Sequence, residues 1–149
     1  MIIKSYEIQK NKSHFSKCNS FLLYGENQGL KKDTRKLIKS AIEEKDNKAE
    51  ILSIYEDEII KNEENFYNFI YSGSLFNDKK IITIHEATDK IIKTISDIYE
   101  KHTENVFLII FSEALEKKSK LRDFFEKNKK SICVPCYLDS EKTLEAIAR

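Results

Sequence analysis

Two glycines and a lysine follow an apolar run near the start of the chain. Ser20-Phe21-Leu22-Leu23-Tyr24 leads into Gly25-Glu26-Asn27-Gln28-Gly29-Leu30-Lys31-Lys32. A loop of this kind after a strand can cradle phosphates when it fits G-x-x-x-x-G-K-[ST], because glycine lets the backbone approach the ligand and the Ser/Thr hydroxyl holds Mg²⁺. Counting from Gly25, the lysine falls at Lys31. Leu30 stands where the second glycine belongs, and Lys32 stands where the hydroxyl belongs. Leu30 adds a side chain where the backbone must come close, Lys32 brings no oxygen for a metal, and Glu26 sets a negative charge beside the phosphate position. Gly25, Gly29 and Lys31 therefore read as the remains of a degenerate phosphate loop, with no nucleotide or other cofactor expected.

The end of a later strand gives an independent check. P-loop ATPases place an acidic pair there to support Mg²⁺, and here Ile81-Ile82-Thr83-Ile84 runs into His85-Glu86. His85 replaces the aspartate, and Glu86 would have no metal-bound nucleotide to serve. A lone histidine at a strand end is expected to be hydrogen-bonded in place. The two defects agree on an inactive ATPase-type domain; an active P-loop ATPase or kinase is the alternative.

Cysteine offers two further chemistries. Cys133-Val134-Pro135-Cys136 has the spacing of a redox pair, which works when a helix N-terminus lowers a thiol pKa. Here Tyr137-Leu138-Asp139 intervenes before any helix, so a thiol oxidoreductase is the weaker alternative. Zinc held by His14, Cys18, Cys133 and Cys136 would need four such ligands, and His14 and Cys18 lack a regular ligand spacing. No catalytic residue and no metal ligand is assigned. Three cysteines are an odd number, which also argues against a disulfide framework.

These residues sit on alternating elements. Strand-like runs at Ser20–Tyr24, Glu50–Ile54, Lys80–Ile84, Val106–Phe111 and Ile132–Val134 alternate with helical stripes. The stripes are Leu30/Leu37/Ile38/Ala41/Ile42, Phe66/Phe69/Ile70, Ile91/Ile92/Ile95/Ile98/Tyr99 and Leu121/Phe124/Phe125, and Glu141 onward also reads as helical. Five alternations predict a three-layer α/β domain with a five-stranded, mostly parallel sheet. The unbroken apolar run from Val106 predicts a strand covered on both faces. Gly73 is placed to stop the second helix.

The 149 residues fit one domain, and 40% apolar with 34% charged residues fits a globular one. A net charge of +1 argues against a dedicated nucleic-acid binder. The lysine pairs Lys31-Lys32, Lys79-Lys80, Lys117-Lys118 and Lys129-Lys130 are expected mostly to keep the surface wet. No run approaches the about 18–20 apolar residues of a membrane span, and no signal peptide stands at the N-terminus, so a cytoplasmic location is expected.

Beyond Gly73 lies Ser74-Leu75-Phe76, followed by polar Asn77-Asp78-Lys79. A short loop can present two neighbouring side chains on one side, which a strand cannot. The same pair could instead fold back beside Phe69 and Ile70.

Taken together, Leu22 to Leu30, Ser74 to Ile82, Lys118 to Lys127 and Val134 to Tyr137 resemble, in order and spacing, the delta subunit of the bacterial DNA polymerase III clamp loader. The resemblance implies an ATPase-like first domain, of the AAA+ type, that neither binds nor hydrolyses ATP. It implies no activity of its own, but a place in the polymerase holoenzyme, whose ring-shaped sliding clamp (the beta subunit) delta binds and helps to open. It implies gamma/tau and delta-prime subunits as further partners, with DNA contacted at most indirectly. By the same resemblance, Leu75 and Phe76, with Ser74, are the residues that enter a hydrophobic pocket on the clamp. Other clamp-loader subunits carry an S-R-C motif, which Ser119-Lys120-Leu121-Arg122 does not match. Residues 1–139 are then expected to form the ATPase-like domain, and 140–149 the cut-short start of a lid domain.

Overall fold

The computed structural model describes residues 18–43, 49–71, 79–100, 106–116 and 118–137. Ser74, Leu75 and Phe76, His14, Lys117, the helix expected from Glu141 and the boundary at 139/140 lie outside these residues.

Five strands, β1 (Ser20–Tyr24), β2 (Ala49–Tyr55), β3 (Lys79–His85), β4 (Val106–Ser112) and β5 (Ser131–Pro135), form one sheet in the order β2-β3-β4-β1-β5. Every pairing is parallel, with Leu22 opposite Ile110 on one side and Cys133 on the other. The helices are α1 (Gln28–Ile42), α2 (Glu56–Lys61), α3 (Glu63–Tyr71), α4 (Ile92–Glu100, entered through a 3₁₀ turn at Asp89–Ile91) and α5 (Lys120–Lys127). No described helix is long and apolar enough to cross a membrane.

Alternation along the strands builds two cores. Leu22, Ile82, Ile84, Leu108, Ile110 and Cys133 face one way, against Phe66 and Ile70 of α3, Ile95 and Ile98 of α4, and Leu121 and Phe125 of α5. Phe21, Leu23, Ile81, Ile109, Ile132 and Val134 face the other way, against Ile38 and Ile42 of α1. This is the expected three-layer arrangement, and both faces of β4 are covered, as its apolar run predicts. The side chains of β2 that point toward the α1 layer are less covered, leaving Ile51 and Tyr55 exposed at the sheet edge.

Local chemistry sets the helix starts. Asn27 caps α1 by accepting from Leu30 N at 3.0 Å, and Ser119 caps α5 by accepting from Arg122 N at 3.2 Å. Thr88 caps the 3₁₀ turn and donates from both its amide (2.8 Å) and its hydroxyl to the buried Glu56 carboxylate. α2 carries too few residues for a visible apolar period. Its signature is charge: Glu56, Asp57 and Glu58 in the first turn and Lys61 in the last, complementing the helix dipole.

The lysine pairs correct the expectation of a wetted surface. Lys32, Lys118, Lys129 and Lys130 are exposed, but Lys31 and Lys80 are buried, with 2% and 5% exposure. Each buried ammonium donates to a main-chain carbonyl, Lys31 to Ser112 and Lys80 to Phe69.

Candidate functional site

The helix after β1 packs on one face of the sheet and the helices after β3 and β4 on the other. This reversal opens a crevice at the C-terminal ends of β1 and β4, where α/β folds place their ligands. Gly25 follows β1 at this end with φ +126°, a conformation that favours glycine. A Cβ there would stand 2.0 Å from the Cys136 carbonyl oxygen, so the close approach of the two loops itself requires glycine. The junction is closed by hydrogen bonds: Gly25 N to Ser112 O at 3.2 Å, Asn27 N to Cys136 O at 2.9 Å, and Cys136 N to Tyr24 O at 2.6 Å.

Only Gly25, Glu26 and Asn27 separate β1 from α1. The helix starts at Gln28, inside the stretch that the phosphate-loop pattern would need as loop. Its Leu30 amide is already taken by the Asn27 cap. Gly29 lies in the first helical turn, where a Cβ would meet only Asn27 Oδ1, at 3.7 Å. Lys31 points under the crevice, and its Nζ donates to Ser112 O at 3.0 Å. The Gly25 amide and the Lys31 ammonium thus converge on one carbonyl oxygen, and Ser112 Oγ donates in turn to Ala87 O at 2.8 Å.

Beside them is a pocket of about 260 Å³, lined in part by Lys31, Tyr55, His85, Glu86, Phe111 and Glu113. His85 meets Ser53, with Nε2 and Oγ 2.6 Å apart, and its ring centroid lies 5.1 Å from that of Tyr55 and 5.3 Å from that of Phe111. Burial first, and the nearby Arg35 guanidinium second, lower its pKa against the opposing pull of Glu86, so the ring is neutral at neutral pH. Arg35 is held across the sheet by its bond from Nε to Thr83 Oγ1 at 3.1 Å. Glu86 has a positive φ of 54° and an exposed side chain.

The structure therefore brings Lys31, His85 and Glu86 to one pocket, joins Gly25 to it through the Ser112 carbonyl, and leaves Gly29 in the first turn of the helix. Sequence reasoning missed Ser112, Arg35 and Ser53. Ser112 acts through its main-chain oxygen, for which no residue type is a signal.

The cysteines do not form a redox site. Cys133 and Cys136 belong to the cores on opposite faces of the sheet and are fully buried. Burial pushes their thiols up to about 12 and about 11, the reverse of an activated nucleophile. At pH 8 the native chain is expected to leave both unmodified by a thiol reagent over minutes, with all three cysteines reacting after denaturation. Rapid labelling of Cys133 or Cys136 in the folded state would contradict the burial argument. Among the described residues no group of three or more His, Cys, Asp or Glu is placed to hold a metal ion.

An all-parallel sheet in this order, with a glycine turn and a lysine after the strand between β4 and β5, defines an α/β domain of the P-loop type. Within that class the chain belongs to the DNA polymerase III delta subunit family, whose model matches residues 21–137. In fold it is similar to the Bacillus subtilis DNA clamp loader delta protein (YqeN), with a TM-score of 0.66 and 12% identity, over 95% of this chain and 45% of that chain. The chain thus spans less than half the length of that structure. A comparison with curated proteins gave no match.

Proposed function

We propose that this chain is the clamp-binding part of a delta subunit, a non-catalytic component of the replicative clamp loader that grips the ring-shaped sliding clamp and helps to open it. The observation that carries the reading is the family match over residues 21–137, a range that includes Ser74-Leu75-Phe76. Leu75 and Phe76, assisted by Ser74, are the anchors of the interface, and the other loader subunits and the rest of the polymerase assembly are its further partners. The work takes place in the cytoplasm. Co-elution of the chain with the sliding clamp of the same organism on a sizing column tests the reading. Separate elution at concentrations of tens of micromolar would count against it.

Nucleotide plays no part in this chain's role. Gly25, Gly29 and Lys31 mark a phosphate loop whose lysine has been turned to structural use, a reading supported by the bond from the buried Lys31 ammonium to Ser112 O. In Lys31→Met the Gly25 amide still serves that carbonyl, and an apolar chain of similar length removes the cost of keeping a cation out of water. The expected result is a Tm within about 3 °C of the parent, on a scale of about 2–4 °C per kcal/mol for a chain of this size. Clamp binding should be unchanged, and no heat should appear when ATP and Mg²⁺ are titrated into either protein. An ATP signal that vanishes in Lys31→Met would favour the active P-loop alternative.

A further inference from the structure

β2 is an edge strand of the sheet, and one of its faces is bare. Ile51, Ser53 and Tyr55 point to the α1 side, in register with Ile81, Thr83 and His85 of β3. One strand step changes the exposure sharply: Ile81 is 0% exposed and Ile51 41%, while Tyr55 reaches 48%. The cover that α1 gives the sheet therefore stops at β3. On the other face Leu52 and Ile54 pack against the first core. A parallel sheet ordinarily carries helices on both faces, and β2 has such cover on one face only.

The wall beside this bare strip is basic. Arg35 Nε donates to Thr83 Oγ1 at 3.1 Å, which sets one flank of α1 over β3. Lys32 and Lys39 stand three residues before Arg35 and four after it, on that same flank. α1 runs back along the strands, and its last residue, Ile42, accepts from Lys79 Nζ at the start of β3. Three cations are thus spread over about 10 Å, beside the about 13 Å from Ile51 to Tyr55. The nearby acids keep to the ends of the strip, with Glu43 3.8 Å from Lys39 at one and Glu86 and Glu113 at the other. A lysine-rich flank alone only keeps a helix wet, and a bare apolar strip alone does not say what covers it. Together they specify an occupant that is apolar on one face and negatively charged along one side.

We propose that this strip is the docking site for an acidic amphipathic helix of a partner protein. The helix lies along β2 with its apolar stripe on Ile51 and Tyr55 and its carboxylates toward Lys32, Arg35 and Lys39. It supplies the layer that the parallel sheet lacks at this edge. The 7 residues of β2 run about 23 Å, the length of about 15 helical residues. The proposal is independent of the clamp-binding reading above.

The test uses the whole chain and two helical peptides of about 15 residues with the same leucine stripe, one flanked by glutamates and the other by lysines. Binding is read by fluorescence anisotropy and by amide chemical-shift mapping. At low salt the glutamate peptide should bind at least about 10-fold tighter than the lysine peptide, with shifts concentrated at residues 51–55 and 32–39. Ile51→Ser/Tyr55→Ser should weaken it about 10-fold or more while the Tm stays within about 2 °C. Lys32→Glu/Lys39→Glu should reverse the preference between the two peptides. No binding at about 1 mM peptide, equal binding of both peptides, or shifts confined to other surfaces would overturn the proposal. A fall in Tm of about 6 °C or more in Ile51→Ser/Tyr55→Ser would overturn it too, because the chain's own residues would then cover the strip. So would a concentration-dependent dimer that this variant abolishes, which would make a second copy the occupant.

Discussion

The Leu75→Ala/Phe76→Ala variant should lose clamp binding and keep its fold. Burying each side chain in an apolar pocket is worth about 1.5–3 kcal/mol. On the proposed reading the pair would supply about 3–6 kcal/mol of an interface whose total, at micromolar affinity, is about 8 kcal/mol. Removing it should raise Kd by a factor of about 10²–10⁴. On the clamp-binding reading the Tm should stay within about 3 °C, because side chains held out for the clamp add little to either core. If Leu75 and Phe76 instead folded back beside Phe69 and Ile70, the same substitutions would cost several kcal/mol of stability each. A fall in Tm of 10 °C or more, of the size about 3 kcal/mol produces, would thus place them in the core.

Gly25→Ala should be the most damaging single change at the crevice. Alanine at φ +126° is strained, and its Cβ would press to 2.0 Å from a backbone oxygen that cannot swing aside as a flexible side chain can. Cys136, which carries that oxygen, is itself fixed by its bond to Tyr24 O. The expected loss is about 3 kcal/mol or more, a fall in Tm of about 6–12 °C. Gly29→Ala supplies the contrast. Its Cβ has ordinary contact only, and alanine favours a helix over glycine by up to about 1 kcal/mol, so the Tm should hold or rise. Thermal melts of the two variants check both. Equal tolerance at the two sites would mean that the Gly25–Cys136 approach does not hold the loops together.

How much could be read from sequence follows from what each residue does. The five strands were legible because β-branched and aromatic runs such as Lys80–Ile84 and Val106–Phe111 stand between helical stripes. The parallel sheet followed from their alternation, and the structure makes it parallel throughout. α2 was not legible, since six residues hold less than two helical turns of pattern. The burial of Lys31 and Lys80 was not legible either, because their partners are the carbonyls of Ser112 and Phe69, which any residue provides. The phosphate-loop comparison likewise could not foresee that α1 would start at Gln28. Cys133-x-x-Cys136 was set aside in sequence because no helix follows it closely, and the structure adds that the two residues fall in opposite cores.

Binding of this chain to the sliding clamp, measured by calorimetric titration first without nucleotide and then with ATP and Mg²⁺, reaches the central claim most directly. The account predicts association at micromolar affinity or better, with the same Kd in both titrations. No binding at all, or binding that appears only when ATP is added, would contradict it.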